Sequence, residues 1–211
     1  MQCLNCGRDS QSCLCEACRS QDILDKIIME ILYYKDDTCE NEFLRSFMQG
    51  FENPRDARTR IPELLSLFDE ETAAFSRCRY EAVLKQPGFE LEALAYLDTH
   101  PNWDWRRQWI VLDLLRGYAR VDFVKPRKWC DEILKTDGLS AELYESAAQY
   151  YGFVAEYDLA EQAAEKMRAC RETDMVLFTK FDSLPALYER IMNDLTRYRT
   201  KNSCSCRKNH I

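Results

Sequence analysis

The residues best equipped for chemistry in this chain are cysteines, and they are unevenly placed. Of 211 residues eleven are cysteine, and five of these fall within the first eighteen positions: Cys3, Cys6, Cys13, Cys15 and Cys18. Cys3-Leu4-Asn5-Cys6 and Cys15-Glu16-Ala17-Cys18 are two Cys-x-x-Cys pairs with eight residues between them. One such pair sets two thiolates about 3.5–4 Å apart, the length of one edge of a zinc tetrahedron, and a second pair completes four ligands. Gly7, directly after the first pair, suits a tight turn that needs positive φ. No histidine or acidic residue stands at ligand spacing nearby, so four thiolates close the coordination sphere and leave no position for water. The ion is therefore expected to be structural. The segment is too short to fold on a core of its own, and metal binding would supply folding free energy on the order of 10 kcal/mol. The competing readings are unligated thiols on a floppy terminus, which oxidise readily, and an iron–sulfur cluster.

Residues 3 to 18 resemble a short zinc ribbon, which implies Zn²⁺ held by Cys3, Cys6, Cys15 and Cys18. Cys13 is the odd thiol. With Cys204, Cys206 and His210 it makes a candidate second metal site that would clamp the tail to the head; the alternative is a disordered tail with idle cysteines. Cys3, Cys6 and Cys13 also match half of a two-zinc, six-cysteine cluster, but the basic loop of that DNA-reading module is absent.

Elsewhere the chemistry is sparse. There are two histidines, and His100 precedes Pro101 in an inter-helix turn that suits a capping or surface group. No Ser-His-Asp arrangement, glycine-rich phosphate loop or His-x-x-x-His spacing occurs. Asp69-Glu70-Glu71 and Asp131-Glu132 read as solvated helix ends. The expectation is a protein that is not an enzyme and has no small-molecule substrate. Trp103, Trp105 and Trp109 cluster with Arg106 and Arg107, and Trp105 and Trp109 share one helix face. Such a cluster is either core tryptophan beside exposed arginine or an interaction surface, since Trp and Arg are favoured at binding hot spots. Trp105, Arg106 and Trp109 are the candidate partner contacts. Arg197, Arg199, Lys201, Arg207 and Lys208 form a basic tail that either touches nucleic-acid phosphates or solubilises the terminus, and Arg55, Arg58 and Arg60 form a second basic patch.

The elements that must position these residues are helices. Apolar residues make up 46% of the chain, while six glycines and six prolines are too few for a fold built on many tight turns. The net charge of −7 argues against broad coating of nucleic acid. No apolar run approaches the roughly 18 residues of a membrane span, and the first residues lack the basic-then-apolar order of a signal peptide. A cytoplasmic protein is expected, in which thiols stay reduced and clustered cysteines serve as metal ligands.

Ile23, Leu24, Ile27, Ile28, Ile31 and Leu32 follow the i, i+3, i+4, i+7 rule, with Ser20 as N-cap and Asp22 in the first turn. Comparable stripes follow from Phe43 to Phe51, around Leu64, from Ala74 to Val83 and from Leu91 to Tyr96. Asn102 is expected to cap a helix bearing Trp105, Trp109, Leu112 and Leu115, and Pro126 to start one that ends at Asp137-Gly138. Further stripes lie at Leu143–Tyr151, Leu159–Met167, Phe178–Phe181 and Leu187–Leu195. The fold class is all-α, with about eleven helices. It divides into a cysteine-rich zinc-binding head (1–19), a helical body (20–199) and a basic, cysteine-containing tail (200–211).

Tyr144, Ala148 and Tyr151 on one helix, a turn at Ala155-Glu156-Tyr157, and Ala160 and Ala164 on the next resemble a tetratricopeptide repeat. The proline expected after the second helix is missing; Arg171-Glu172-Thr173 stands there. The resemblance implies an array of helical hairpins, and the alternative is an irregular helical bundle. The function that fits is a protein-binding adaptor or scaffold with structural Zn²⁺. The alternative is a nucleic-acid-associated regulator using head and tail.

Overall fold

The computed structural model describes residues 1–84, 88–118, 122–171 and 183–206, with the backbone alone for 201–206. It is all-α: ten α-helices and two 3₁₀ segments run through the described residues, which contain no strand. The expected helix around Phe178 and Phe181 lies outside the described residues. No described helix is long and apolar enough to cross a membrane. The chain divides into two compact units, Met1–Tyr96 and Leu97–Ile211.

The first unit is organised round α1 (Gln21–Leu32), which begins where Ser20 accepts a hydrogen bond from the Ile23 N–H. Its apolar stripe is buried: Leu24, Ile27, Ile28, Ile31 and Leu32 are each at most 1% exposed. Each such side chain contributes about 1.5–3 kcal/mol of burial free energy. Against this stripe pack α2 (Glu42–Gln49), the 3₁₀ segment Pro54–Arg60, α3 (Ile61–Leu65) and α4 (Glu70–Leu84). The starts of α2 and α4 are capped by side chains, with Asn41 accepting from Leu44 N and Asp69 from Thr72 N. Arg58 donates to the Leu32 carbonyl at 2.6 Å, satisfying an end group of α1. One polar contact sits inside the core: buried Asp25 of α1 accepts from Ser76 Oγ of α4 at 2.5 Å.

The cysteine segment belongs to this same core. Leu4 and Leu14 are buried together with the α1 stripe, and the Cys3, Cys13 and Cys18 side chains are buried beside them. α5 (Phe89–Thr99) runs across the division between the units, and its Tyr96 ring lies 6.0 Å from that of Phe75 in α4.

The second unit contains α6 (Trp105–Tyr118), α7 (Lys125–Lys135), α8 (Ala141–Phe153), α9 (Tyr157–Arg168) and α10 (Leu184–Cys206). The α6 cap is Asp104, whose Oδ1 accepts from Arg107 N at 2.8 Å, rather than the expected Asn102, which lies two residues upstream. Pro126 stands in the first turn of α7, and Gly138 follows it at φ 75°. α8 and α9 form a helical hairpin. Ala147, Ala148, Ala160, Ala163 and Ala164 are wholly buried, and side chains this small let the two axes approach closely. The link turns at Ala155, where φ is 64°, and Glu156 N donates to the Tyr151 carbonyl. Gly152 lets α10 approach α8: a Cβ there would stand 2.6 Å from Leu195 Cδ2. α10 continues through Cys206, so the residues expected to open the tail extend a helix.

Candidate metal centre

Two short turns set the cysteines. In the first, Cys3 N donates to Arg8 O and Gly7 N donates to Cys3 O, both at 2.9 Å, so the chain doubles back directly after Cys6. Gly7 takes φ 71°, and a Cβ there would overlap the Phe43 ring at 2.1 Å. Glycine is thus required twice, for backbone conformation and for space. In the second turn Glu16–Cys18 is a 3₁₀ segment with Cys18 N bonded to Cys15 O at 2.9 Å. It ends two residues before the Ser20 cap, so α1 fixes the last cysteine. Leu4 N donates to Cys13 O at 2.9 Å and ties the two turns together.

The outcome is a cluster of four sulfurs. The Sγ atoms of Cys3, Cys6, Cys15 and Cys18 all lie within 4.8 Å of one another, close enough to hold a metal ion. Cys6 Sγ and Cys15 Sγ, from different turns, are 3.6 Å apart. A Zn–S bond of about 2.3 Å gives a tetrahedral edge of about 3.8 Å, so this separation fits Zn²⁺. Asn5 Nδ2 donates to Cys18 Sγ at 3.3 Å, a contact of the kind that orients a thiolate ligand.

The thiols differ in acidity. Burial pushes the Cys3 thiol up, but the backbone N–H groups of Cys15, Cys6 and Asn5 outweigh it and bring it down to about 6. At Cys18 the Asn5 amide favours the thiolate. Burial and the neighbouring Cys6, Cys15 and Cys3 together outweigh that contact and push it up to about 12. Negative charge accumulating in the cluster thus opposes loss of the last proton, and a divalent cation reverses that balance.

The other described thiols are placed differently. Cys13 is buried and donates to Glu63 Oε1 at 3.0 Å, while Arg60 Nε holds the other Glu63 oxygen at 2.7 Å. Burial, then the Glu63 hydrogen bond and charge, raise the Cys13 thiol to about 11. Cys13 therefore stays outside the four-sulfur cluster. Of its expected partners in a second site, His210 and the side chains of Cys204 and Cys206 lie outside the described residues. Cys39 likewise donates to a carboxylate, Glu30 Oε2, at 3.3 Å. Burial lifts Cys78 and Cys130 to about 12.

The aromatic and basic residues sort by burial. Trp109 is 6% exposed and belongs to the core of the second unit, whereas Trp105 is 43% exposed. The Arg106 guanidinium lies 4.7 Å from the Trp105 ring centroid. Arg107, one of the arginines a core-tryptophan reading leaves exposed, is buried. It donates to Leu97 O and His100 O at 2.8 Å each and lies over Trp103 and Trp129. Arg199 pairs with Glu161 at 2.6 Å, and Arg197 with Asp194 at 3.6 Å. Lys201's side chain, Arg207 and Lys208 lie outside the described residues. In the second basic patch, Arg58 and Arg60 are engaged as described, by Leu32 and Glu63.

A cavity of about 360 Å³ in the second unit has no counterpart in the residue spacing. Phe123, Tyr150, Phe153 and Tyr198 are among the residues that line it. Phe123 and Phe153 stack at 4.9 Å and are about half exposed. Nothing in the apolar stripes signals that these rings point outward. No protein-family model, curated protein or solved structure matches the chain.

Proposed function

We propose that this chain is a non-catalytic adaptor or scaffold, whose first unit is held together by one structural Zn²⁺ on Cys3, Cys6, Cys15 and Cys18. The observation that carries the reading is the set of four sulfurs within 4.8 Å, drawn from two turns that pack into the unit's own core. Four thiolates complete a tetrahedron, so the ion has no open position at which water or substrate could be activated. Among the described residues the cysteines are free rather than paired, which supports a reducing, cytoplasmic compartment.

The proposed partner is a protein, met by the second unit through Trp105 and Arg106, with the buried Trp109 four residues on from Trp105 in the same helix. An exposed indole under a guanidinium presents a large apolar area with a charge already in place. The nucleic-acid reading has less support, because Arg58, Arg60 and Arg199 are already bonded within the fold.

Metal analysis of protein isolated under reducing conditions without chelator tests the first element. About one zinc per chain is expected, and none overturns the reading. About two would support a second site on Cys13, Cys204, Cys206 and His210. A pull-down with wild type, Trp105→Ala and Arg106→Glu tests the second element. Partners retained equally by all three exclude this surface.

A further inference from the structure

The four sulfurs are not equivalent to solvent. Cys3 and Cys18 are 0% and 6% exposed, whereas Cys6 and Cys15 are both partly exposed. These two partly exposed cysteines come from different turns, and their sulfurs lie 3.6 Å apart. Cys13, the next cysteine along the chain, is 3% exposed and hydrogen-bonded to Glu63. The cluster therefore presents one open edge, and that edge joins the two halves of the head.

We propose that this edge is an oxidation site for hydroperoxides, at which Cys6 and Cys15 form a disulfide and the zinc is expelled. The proposal rests on the zinc reading above. In the reaction one thiolate attacks a peroxide oxygen. The O–O bond breaks, hydroxide leaves and takes up a proton, and the sulfur becomes a sulfenic acid. The second thiolate attacks that sulfur, an S–S bond forms, and the sulfenic oxygen leaves as a second water after protonation. Two thiolates, one hydrogen peroxide and two protons give one disulfide and two waters. The thiolates lose two electrons and the peroxide gains them. A low-molecular-weight dithiol reverses the step by exchange.

A contact of 3.6 Å needs the sulfurs to close to about 2.05 Å, a movement within reach of χ1 adjustment in two short turns. Oxidation within a Cys-x-x-Cys pair requires instead a buried sulfur, Cys3 or Cys18, to turn outward or the oxidant to enter. With two of four donors gone, Cys3 and Cys18 alone hold the ion weakly. The disulfide then replaces the ion as the link between the two turns that carry Leu4 and Leu14 into the α1 core.

The test titrates zinc-loaded full-length protein with hydrogen peroxide in the presence of a chromogenic zinc chelator. Aliquots are blocked with N-ethylmaleimide and digested for disulfide mapping by mass spectrometry. Zinc release near one equivalent per peroxide consumed is expected, with the Cys6–Cys15 linked peptide the main product and zinc rebinding after dithiothreitol. The Cys13→Ser variant should release zinc at a rate within twofold of wild type. A main product linking Cys3 to Cys6 or Cys15 to Cys18 overturns the proposal, as does retention of zinc while Cys13 is oxidised. Protein that carries no zinc before peroxide is added overturns the metal reading itself, which separates the two failures.

Discussion

The first unit and the second solve the same problem with different means. In the first, two short helices, α2 of 8 residues and α3 of 5, stand beside α1 of 12 and α4 of 15. Their apolar faces converge on α1, and part of that face is covered by Leu4 and Leu14 from a segment without helix of its own beyond one 3₁₀ turn. The second unit contains a hairpin of 13 and 12 residues with wholly buried alanines at its seam, and α10 of 23 residues packs on both of its helices. Helices with matched small-residue seams bury their surface by packing alone. Short elements capped by a loop gain from a cross-link, and the four clustered thiols are placed to supply one by holding an ion. The contrast says where ligand chemistry governs folding and where it is irrelevant.

Metal removal should break this symmetry most strongly. Stripping zinc with a chelator under reducing conditions is expected to withdraw on the order of 10 kcal/mol from the first unit and nothing from the second. Hydrogen exchange on the full chain reads this directly. Amides of α1 to α4 should lose protection by several orders of magnitude while those of α8 and α9 keep theirs. Equal loss in both units would show that they do not fold independently. Next in size is Gly7→Ala. It forces an L-residue to φ 71° and drives a Cβ into the Phe43 ring. The left-handed conformation costs about 1–2 kcal/mol and the overpacking about 1–3 kcal/mol, giving a loss of about 2–5 kcal/mol in chemical denaturation of the zinc-loaded form.

How far the sequence foretold these two units depends on what each signal encodes. Cys-x-x-Cys spacing is a geometric code for a ligand pair, so the four clustered sulfurs are legible in the order of residues alone. Apolar stripes encode a buried face, so nearly all helices and the Ser20 cap are legible as well. What a stripe cannot encode is the partner of a face. Nothing in the spacing shows that Leu4 and Leu14 share the α1 core, or that Cys13 meets Glu63, 50 positions along the chain. Arg107 is the sharpest case. A guanidinium in a helix reads as surface, yet its Nη1 reaches two carbonyls and the group is buried between tryptophan rings. Long-range acceptors decide such burial, and they leave no local pattern.

Within the second unit the packing account has a polar counterpart that can be removed. Tyr151 of α8 is wholly buried and donates to Asp131 Oδ1 of α7 at 2.6 Å, on a carboxylate that Arg127 also holds at 3.0 Å. Tyr151→Phe keeps the ring and deletes the donor. A hydrogen bond to a charged acceptor is worth about 1.5–3 kcal/mol, and the retained Arg127 contact places the loss near the lower figure. The melting transition assigned to α8 and α9 should fall by a few degrees while zinc content stays unchanged. A parallel loss of zinc would join the two units energetically and blunt the contrast between them.

The smallest effect separates the units by the sign of their response to pH. Thiolates that hold zinc must be deprotonated, so on the proposed zinc reading the first unit is expected to lose stability as pH falls and protons compete for the sulfurs. In the second unit Glu145 behaves in the opposite sense. Burial raises its carboxyl above the usual value, and the Arg190 guanidinium at 2.9 Å only partly opposes this. A carboxyl whose folded pKa is raised binds its proton more tightly in the native state than in the unfolded one. Its contribution is therefore fully present below the unfolded value and is lost as pH rises through the folded value. Arg190→Ala removes the opposing charge and should move the Glu145 midpoint further up, which carbon-detected NMR of the carboxyl reads directly. The same substitution should make α8–α9 less stable at neutral pH than under mild acid, relative to wild type. A midpoint that moves down would mean that Arg190 is not what holds the ionised form of Glu145.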